Sequence, residues 1–283
     1  MACVTLLTAT PAAAKKRPAP GTTTTTSTTS TTASTTTAPG SSTTTSTTST
    51  STTSTTAPST TTTVPVSGPT TGGNDISWAQ CGFSYPRAPA FGIVDVSAGR
   101  PYYDNPCLAS EYAWAAAAPR TPAFYMNTAD PGSQSTHWTT AGPKACGGSS
   151  SDTGCAYNYG WNAAAHAFAY ADAQTGHASS AVWWLDVETA NTWASDVTVN
   201  NADIQGMVDY FHAKSLTVGV YSSSSQWGTI TGKEALAVPN WVPGASSASQ
   251  AASWCSTSHS FTGGLVALVQ YPSGSYDADA ACY

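Results

Sequence analysis

Ala181-Val182-Trp183-Trp184-Leu185-Asp186-Val187-Glu188 is the most strand-like run in the chain: apolar on both alternating faces until two acids interrupt it near its end. A strand that is apolar on both faces must be covered on both faces, which is the situation of a parallel sheet flanked by helices. Runs of similar character lie at 74–78, 91–97, 123–127, 216–221, 238–242, 265–271 and 276–279, so that eight strands are expected. Between them, an Ala-rich segment from Leu108 to Ala118 opens after Pro106 and stops at Pro119, and another from Tyr157 to Gln174 stops at Gly176. A third helix, capped by Asn200 or Asn201, places Ile204, Met207, Val208 and Phe211 on one face. Ser149 to Gly154 reads as a loop of small residues. Strands alternating with helices over about 210 residues predict the α/β class and an irregular (β/α)8 TIM-like barrel with some helices shortened; an open doubly wound sheet is the competitor.

The barrel segment, 74–283, follows a stretch of different composition. From Thr22 to Thr63, 36 of 42 residues are Ser or Thr and none is larger than Thr or Pro, so residues 15–73 are expected to be a disordered Ser/Thr/Pro-rich spacer. Residues 1–14 read as the remnant of a secretory signal whose start codon lies upstream. The expected location is therefore extracellular. No run approaches the length of a membrane span. All 15 acids fall after residue 73 against six bases there (Arg87, Arg100, Arg120, Lys144, Lys214, Lys233). A domain so acidic repels a phosphate backbone, which argues against nucleic acid as a partner. Setting aside Cys3, six cysteines remain with no C-x-x-C pair, as in a three-disulfide framework; the sequence-local pairing Cys81–Cys107, Cys146–Cys155 and Cys255–Cys282 is preferred because each bridge staples one loop or terminus.

Neither G-x-G-x-x-G, a P-loop nor a G-x-S-x-G elbow is present, and His137, His166, His177, His212 and His259 lack ligand spacing, so no cofactor and no metal is expected. The chemistry falls to carboxylates. Asp186 and Glu188 are two apart on one strand and share a face, with Cα atoms roughly 6–7 Å apart. At the C-terminal end of a barrel strand such a pair faces the mouth, where crowding raises proton affinity and supplies one acid and one anion, as glycoside hydrolysis requires. Asp75 on the first strand and Asp277 and Asp279 on the last converge on the same mouth if the barrel closes. Asp95, within an apolar strand, reads equally well as a structural acid. Trp138, Trp193, Trp227 and Trp241 lie near loops or strand ends, where a ring can stack on a sugar; Trp241 is the best placed.

In chain order, Asp75-Ile76-Ser77-Trp78, Phe91-Gly92-Ile93-Val94-Asp95-Val96-Ser97-Ala98-Gly99, Leu185-Asp186-Val187-Glu188, Gly219-Val220-Tyr221-Ser222, Val238-Pro239-Asn240-Trp241, Val269-Gln270-Tyr271 and Tyr276-Asp277-Ala278-Asp279 resemble the signature of the glycoside hydrolase family 25 lysozymes, in their secreted actinobacterial form. The resemblance covers residues 74–283. It implies cleavage of the β-1,4 bond between N-acetylmuramic acid and N-acetylglucosamine in peptidoglycan by a monomer. Glu188 would be the general acid, Asp186 would support substrate-assisted attack by the acetamido group, and Asp75 and Asp277 would be the further catalytic acids. Asp279, Tyr125, Tyr221, Trp241 and Gln270 would contact the glycan. Two segments depart from the pattern. Asp95-Val96-Ser97-Ala98-Gly99 stands where the family has a lysine or arginine and then Ala-Thr-Glu-Gly, and Tyr125-Met126-Asn127 replaces Tyr-His-Phe, which implies rebuilt subsites. The alternative is a catalytically silent glycan-binding envelope protein on the same scaffold.

Overall fold

Each apolar run becomes a strand and each predicted helical segment a helix in the computed structural model, which describes residues 69–283. The order is β1 (Thr70–Ile76), β2 (Gly92–Asp95), α1 (Leu108–Ala116), β3 (Ala123–Asn127), α2 (Thr153–Thr175), β4 (Trp183–Asp186), α3 (Val197–Ala213), β5 (Val218–Tyr221), α4 (Ser224–Thr231), β6 (Asn240–Val242), α5 (Ala248–Ser253), β7 (Val266–Ser273) and β8 (Tyr276–Ala281). The strands close into a barrel in sequence order, which excludes the open sheet. The expected signal remnant and all but the last residues of the expected spacer lie outside the described residues. β1 starts at Thr70, four residues before the expected domain start, because Thr70 and Gly73 pair with Ala281 and Asp279 of β8.

The expectation of an all-parallel barrel needs one correction. β8 runs antiparallel to both β7 and β1. Ser273 pairs directly with Tyr276, leaving a two-residue turn in which Gly274 has φ 65°. A turn that short can only return the chain antiparallel; a parallel return needs a crossover of a dozen residues or more.

Two helix starts also differ from expectation. α2 begins at Thr153 because the Asp152 carboxylate accepts from the amides of Gly154 at 2.8 Å and Cys155 at 3.2 Å. α3 begins at Val197, capped by Asp196, whose carboxylate accepts from Thr198 N at 2.9 Å. Asn200 is thus inside the helix and buried, where its amide reaches the carbonyls of Ala194 and Ile230. In both cases an aspartate placed where the first-turn amides and the helix dipole favour a negative charge took the capping role. The expected apolar face of α3 is buried as read, and α2 meets α3 closely enough that a Cβ on Gly160 would overlap the Asp203 carbonyl.

The three disulfides pair as preferred, with Cα separations of 5.5, 4.8 and 5.3 Å. They tie the segment after β1 to the start of α1, the β3–α2 loop to the first turn of α2, and the segment after α5 to the end of β8. Among the described residues no helix is long and apolar enough to cross a membrane.

Alternation along β4 divides its side chains between two cores. Trp183, Leu185 and Val187 pack outward against the helices with Phe124, Met207 and Phe211, whereas Trp184 packs inward with Phe91, Ile93, Trp241, Leu268 and Ala281. Room for the Trp184 indole comes from Gly219 on β5, where a Cβ would overlap the ring and lie 2.7 Å from the Pro239 carbonyl oxygen. Gly219→Ala is therefore expected to destabilise the fold by about 1–3 kcal/mol through overpacking. The denaturant midpoint measures it, and an unchanged midpoint would show that the interior yields.

Candidate active site

The inward positions change character along the barrel. Below, they form the apolar floor of Trp184, Trp241, Phe91, Ile93 and Leu268. Toward the C-terminal ends of the parallel strands they become Asp75 on β1, Asp95 on β2, Tyr125 and Asn127 on β3, Asp186 on β4, Tyr221 on β5 and Gln270 on β7. The strand register brings these together: Asn127 is the partner of Asp186, Asp186 of Tyr221, and Asp75 of Asp277 on β8. Asp277 is exposed on the rim.

Hydrogen bonds link the barrel walls. Tyr221 Oη donates to Gln270 Oε1 at 2.9 Å, and Gln270 Nε2 donates to Asp75 Oδ2 at 3.0 Å. Trp241 Nε1 donates to Asp279 Oδ1 at 2.8 Å. Asp186 is buried; its Oδ2 accepts from Asn127 Nδ2, while its Oδ1 has no partner among the described residues. Glu188, two residues on and half-buried, accepts from Gln226 Nε2 at 3.3 Å, and its carbonyl accepts from Trp193 Nε1 at 2.8 Å. The Gln226 side chain is itself fixed by Thr189 N at 2.7 Å.

The electrostatics follow from this packing of acids. Burial, reinforced by the charges of Glu188 and then Asp95, holds the Asp186 carboxyl well above the usual carboxylate range. Burial and then Asp277 push Asp75 up to about 7 from 3.8. Burial, with Asp75 beside it, likewise raises Asp279. Near neutral pH the site thus retains protons that isolated carboxyls would have released.

The shift on Asp75 makes stability depend on pH. Between 3.8 and about 7 the folded protein holds a proton that the unfolded chain has lost, so this group costs stability as pH rises through that window. Asparagine at this position carries no such penalty and still accepts from Gln270. The melting temperature of Asp75→Asn relative to the parent is expected to climb from pH 4 to pH 7; a flat difference would contradict the raised proton affinity.

Among the residues expected from sequence, Asp75, Asp186, Tyr125, Tyr221 and Gln270 meet in the barrel, with Glu188 and Asp277 toward its rim. Three expectations need correction. Trp241, only 2% exposed, presents no free face to a sugar; its ring meets Tyr221 at 4.8 Å and Tyr125 at 6.0 Å in the floor. Asp279 is fully buried beside Asp75 and bonded to the Trp241 indole, so it has no surface open to a glycan. Trp227 is buried on α4 with its Nε1 bonded to the Glu234 carbonyl. Trp193 remains half-exposed beside Glu188, and Trp138, also half-buried, packs against Tyr159 at 5.7 Å. Sequence reasoning missed Asn127 and Gln226. Asn127 carried a signal, lying two residues from Tyr125 on the same strand face; Gln226 sits on a helix whose sequence shows no clear periodicity.

The barrel is similar to the solved structure of a family 25 glycoside hydrolase lysozyme from Aspergillus fumigatus, with a TM-score of 0.50 and 17% identity over 75% of this chain and 94% of that chain. The domain has the fold of a glycoside hydrolase family 25 lysozyme. A family model described as Lysozyme-like protein 1 matches residues 157–251, the part of this lysozyme-like barrel from α2 into α5 that carries both Asp186 and Glu188. The catalytic domain of an endolysin from a Listeria monocytogenes bacteriophage is similar at a TM-score of 0.45 and 14% identity, over 75% of this chain and 92% of that chain. A modular autolysin of Streptococcus pneumoniae is similar at 0.48 and 16%, over 75% of this chain and 46% of that one. No curated protein matches the chain.

Proposed function

We propose that this protein is a secreted glycoside hydrolase that cleaves cell-wall peptidoglycan in the manner of an N-acetylmuramidase. The observation that carries the reading is the pairing on β4 and just beyond it of a buried Asp186, with one unpartnered oxygen, and a half-exposed Glu188 in the mouth of a closed barrel. Glu188, oriented by Gln226, donates its proton to the glycosidic oxygen as the bond breaks. Asp186, below it, directs its free oxygen to the acetamido N–H of the muramic acid residue, so that the acetamido oxygen attacks the anomeric carbon in place of a protein nucleophile. Asp75 and Asp277, opposite each other on β1 and β8, line the other wall and hold the water that completes hydrolysis. Three disulfides suit an oxidising, extracellular location. The protein acts as a monomer on an insoluble polymer.

The test uses the full chain with purified peptidoglycan and mass spectrometry of the soluble products. Muropeptides carrying a new reducing-end muramic acid are the expected result. Binding without release would replace this reading with that of a silent glycan-binding protein.

A further inference from the structure

Asp95 and Asn127, each within a segment that departs from the lysozyme pattern, belong to one hydrogen-bonded unit. Ser97, just past β2, uses its Oγ to accept from the Asn127 backbone amide at 2.8 Å, and its single hydroxyl proton is shared between two acceptors, Asn127 Oδ1 at 3.1 Å and Asp95 Oδ1 at 2.9 Å. The Ser97 backbone amide donates to the same Asp95 oxygen at 2.9 Å. With its carbonyl oxygen turned toward the Ser97 hydroxyl, Asn127 presents its Nδ2 to Asp186 Oδ2. Asn127 and Asp186 are register partners on adjacent parallel strands, so backbone pairing sets the reach of this contact.

From this geometry we infer that Asn127, aligned by Ser97, is a positioning residue: it ties one oxygen of Asp186 to the barrel wall and thereby leaves the other free toward the substrate. Among the described residues, no other side chain donates a hydrogen bond to the Asp186 carboxylate. Glu188 on the same segment, Asp95 on β2 and Asp75 on β1 are acids that oppose its ionisation, and the Tyr221 hydroxyl on β5 is committed to Gln270. Tyr125 on β3 lies among the same acids. A cation at position 95 would favour an ionised Asp186; Asp95 opposes it, and the amide of Asn127 is the group that favours an ionised and oriented Asp186. The catalytic consequence rests on the glycosidase reading above, whereas the control of Asp186 does not.

Asn127→Asp keeps the shape of the side chain and replaces the donor with an acceptor. Ser97→Ala leaves Asn127 in place and removes the group that aligns it. Carboxyl-carbon NMR titration of the full chain reads Asp186 directly and needs no turnover. Its titration midpoint is expected to rise by about one pH unit or more in Asn127→Asp and by less in Ser97→Ala. On peptidoglycan, kcat is expected to fall about 10- to 100-fold with KM little changed, and the acidic limb of the pH profile to move with the midpoint. If the midpoint moves in a protein whose parent releases no muropeptides, the glycosidase reading fails and the positioning role stands. If the parent turns over while the midpoint and kcat stay put in both variants, the positioning role is overturned. Should Asn127→Asp fail to fold, Ser97→Ala decides the matter alone by the same two readouts.

Discussion

Glu188→Gln is expected to reduce muropeptide release at least 100-fold and to leave the fold intact. The substitution preserves shape and can keep a hydrogen bond to Gln226, which lies 3.3 Å from Glu188 Oε1. What it removes is the proton destined for the leaving oxygen, and general acid catalysis contributes about 10²–10⁴-fold. Because ground-state contacts survive, the loss should appear in kcat with KM within a factor of about three. It also removes the strongest charge opposing ionisation of Asp186, so Asp186 is expected to titrate at lower pH in this variant than in the parent. Retained kcat with an unaltered melting temperature would transfer the acid role away from Glu188.

Trp183→Ala should produce the largest loss of stability, without touching the mouth. The Trp183 side chain is fully buried on the outer face of β4. Its ring centroid lies 4.6 Å from Phe211 and 5.1 Å from Phe124, and its Nε1 donates to the Ala178 carbonyl at 3.0 Å. Truncation opens a cavity where strand meets helices and leaves that carbonyl unpaired, at a cost of about 3–5 kcal/mol. For a domain of this size that corresponds to a fall of roughly 10 °C in melting temperature. A fall below about 3 °C would mean that α3 collapses onto the gap. The adjacent Trp184 separates the two roles of the strand: its neighbour holds helices, while it floors the site.

The outline of the fold was readable because it depends on local pattern. Eight apolar runs and helical segments ended by Pro119 and Gly176 specify their elements through periodicity and backbone chemistry within a few residues. The pair Asp186 and Glu188 was readable for the same reason: a separation of two on a strand places both on one face whatever surrounds them. The disulfide partners were favoured by proximity along the chain, and the structure joins the same pairs. The helix caps at Asp152 and Asp196 were missed because the residues after them lack the apolar spacing that marked the later turns. The reversal of β8 was signalled by the short connection between the runs 265–271 and 276–279, but strands alternating with helices earlier in the chain argued for parallel pairing more strongly than one turn argued against it.

Closure of the barrel decided the rest. Asp75 and Asp277 stand some 200 residues apart in sequence and become register partners only when β1 meets β8. Trp241 and Tyr221 are register partners on β6 and β5, yet the indole is enclosed while the phenol hydroxyl reaches Gln270, because which side chain the closed barrel covers has no signature in a single strand. The proton affinities of Asp75 and Asp186 follow the same logic. Residue type sets where a carboxyl starts, and solvent exclusion together with charges from other strands sets where it ends. Alternation along one strand is a local property and can be written into a segment; burial and the company of distant acids are properties of the closed sheet, and exist only once all eight strands are in place.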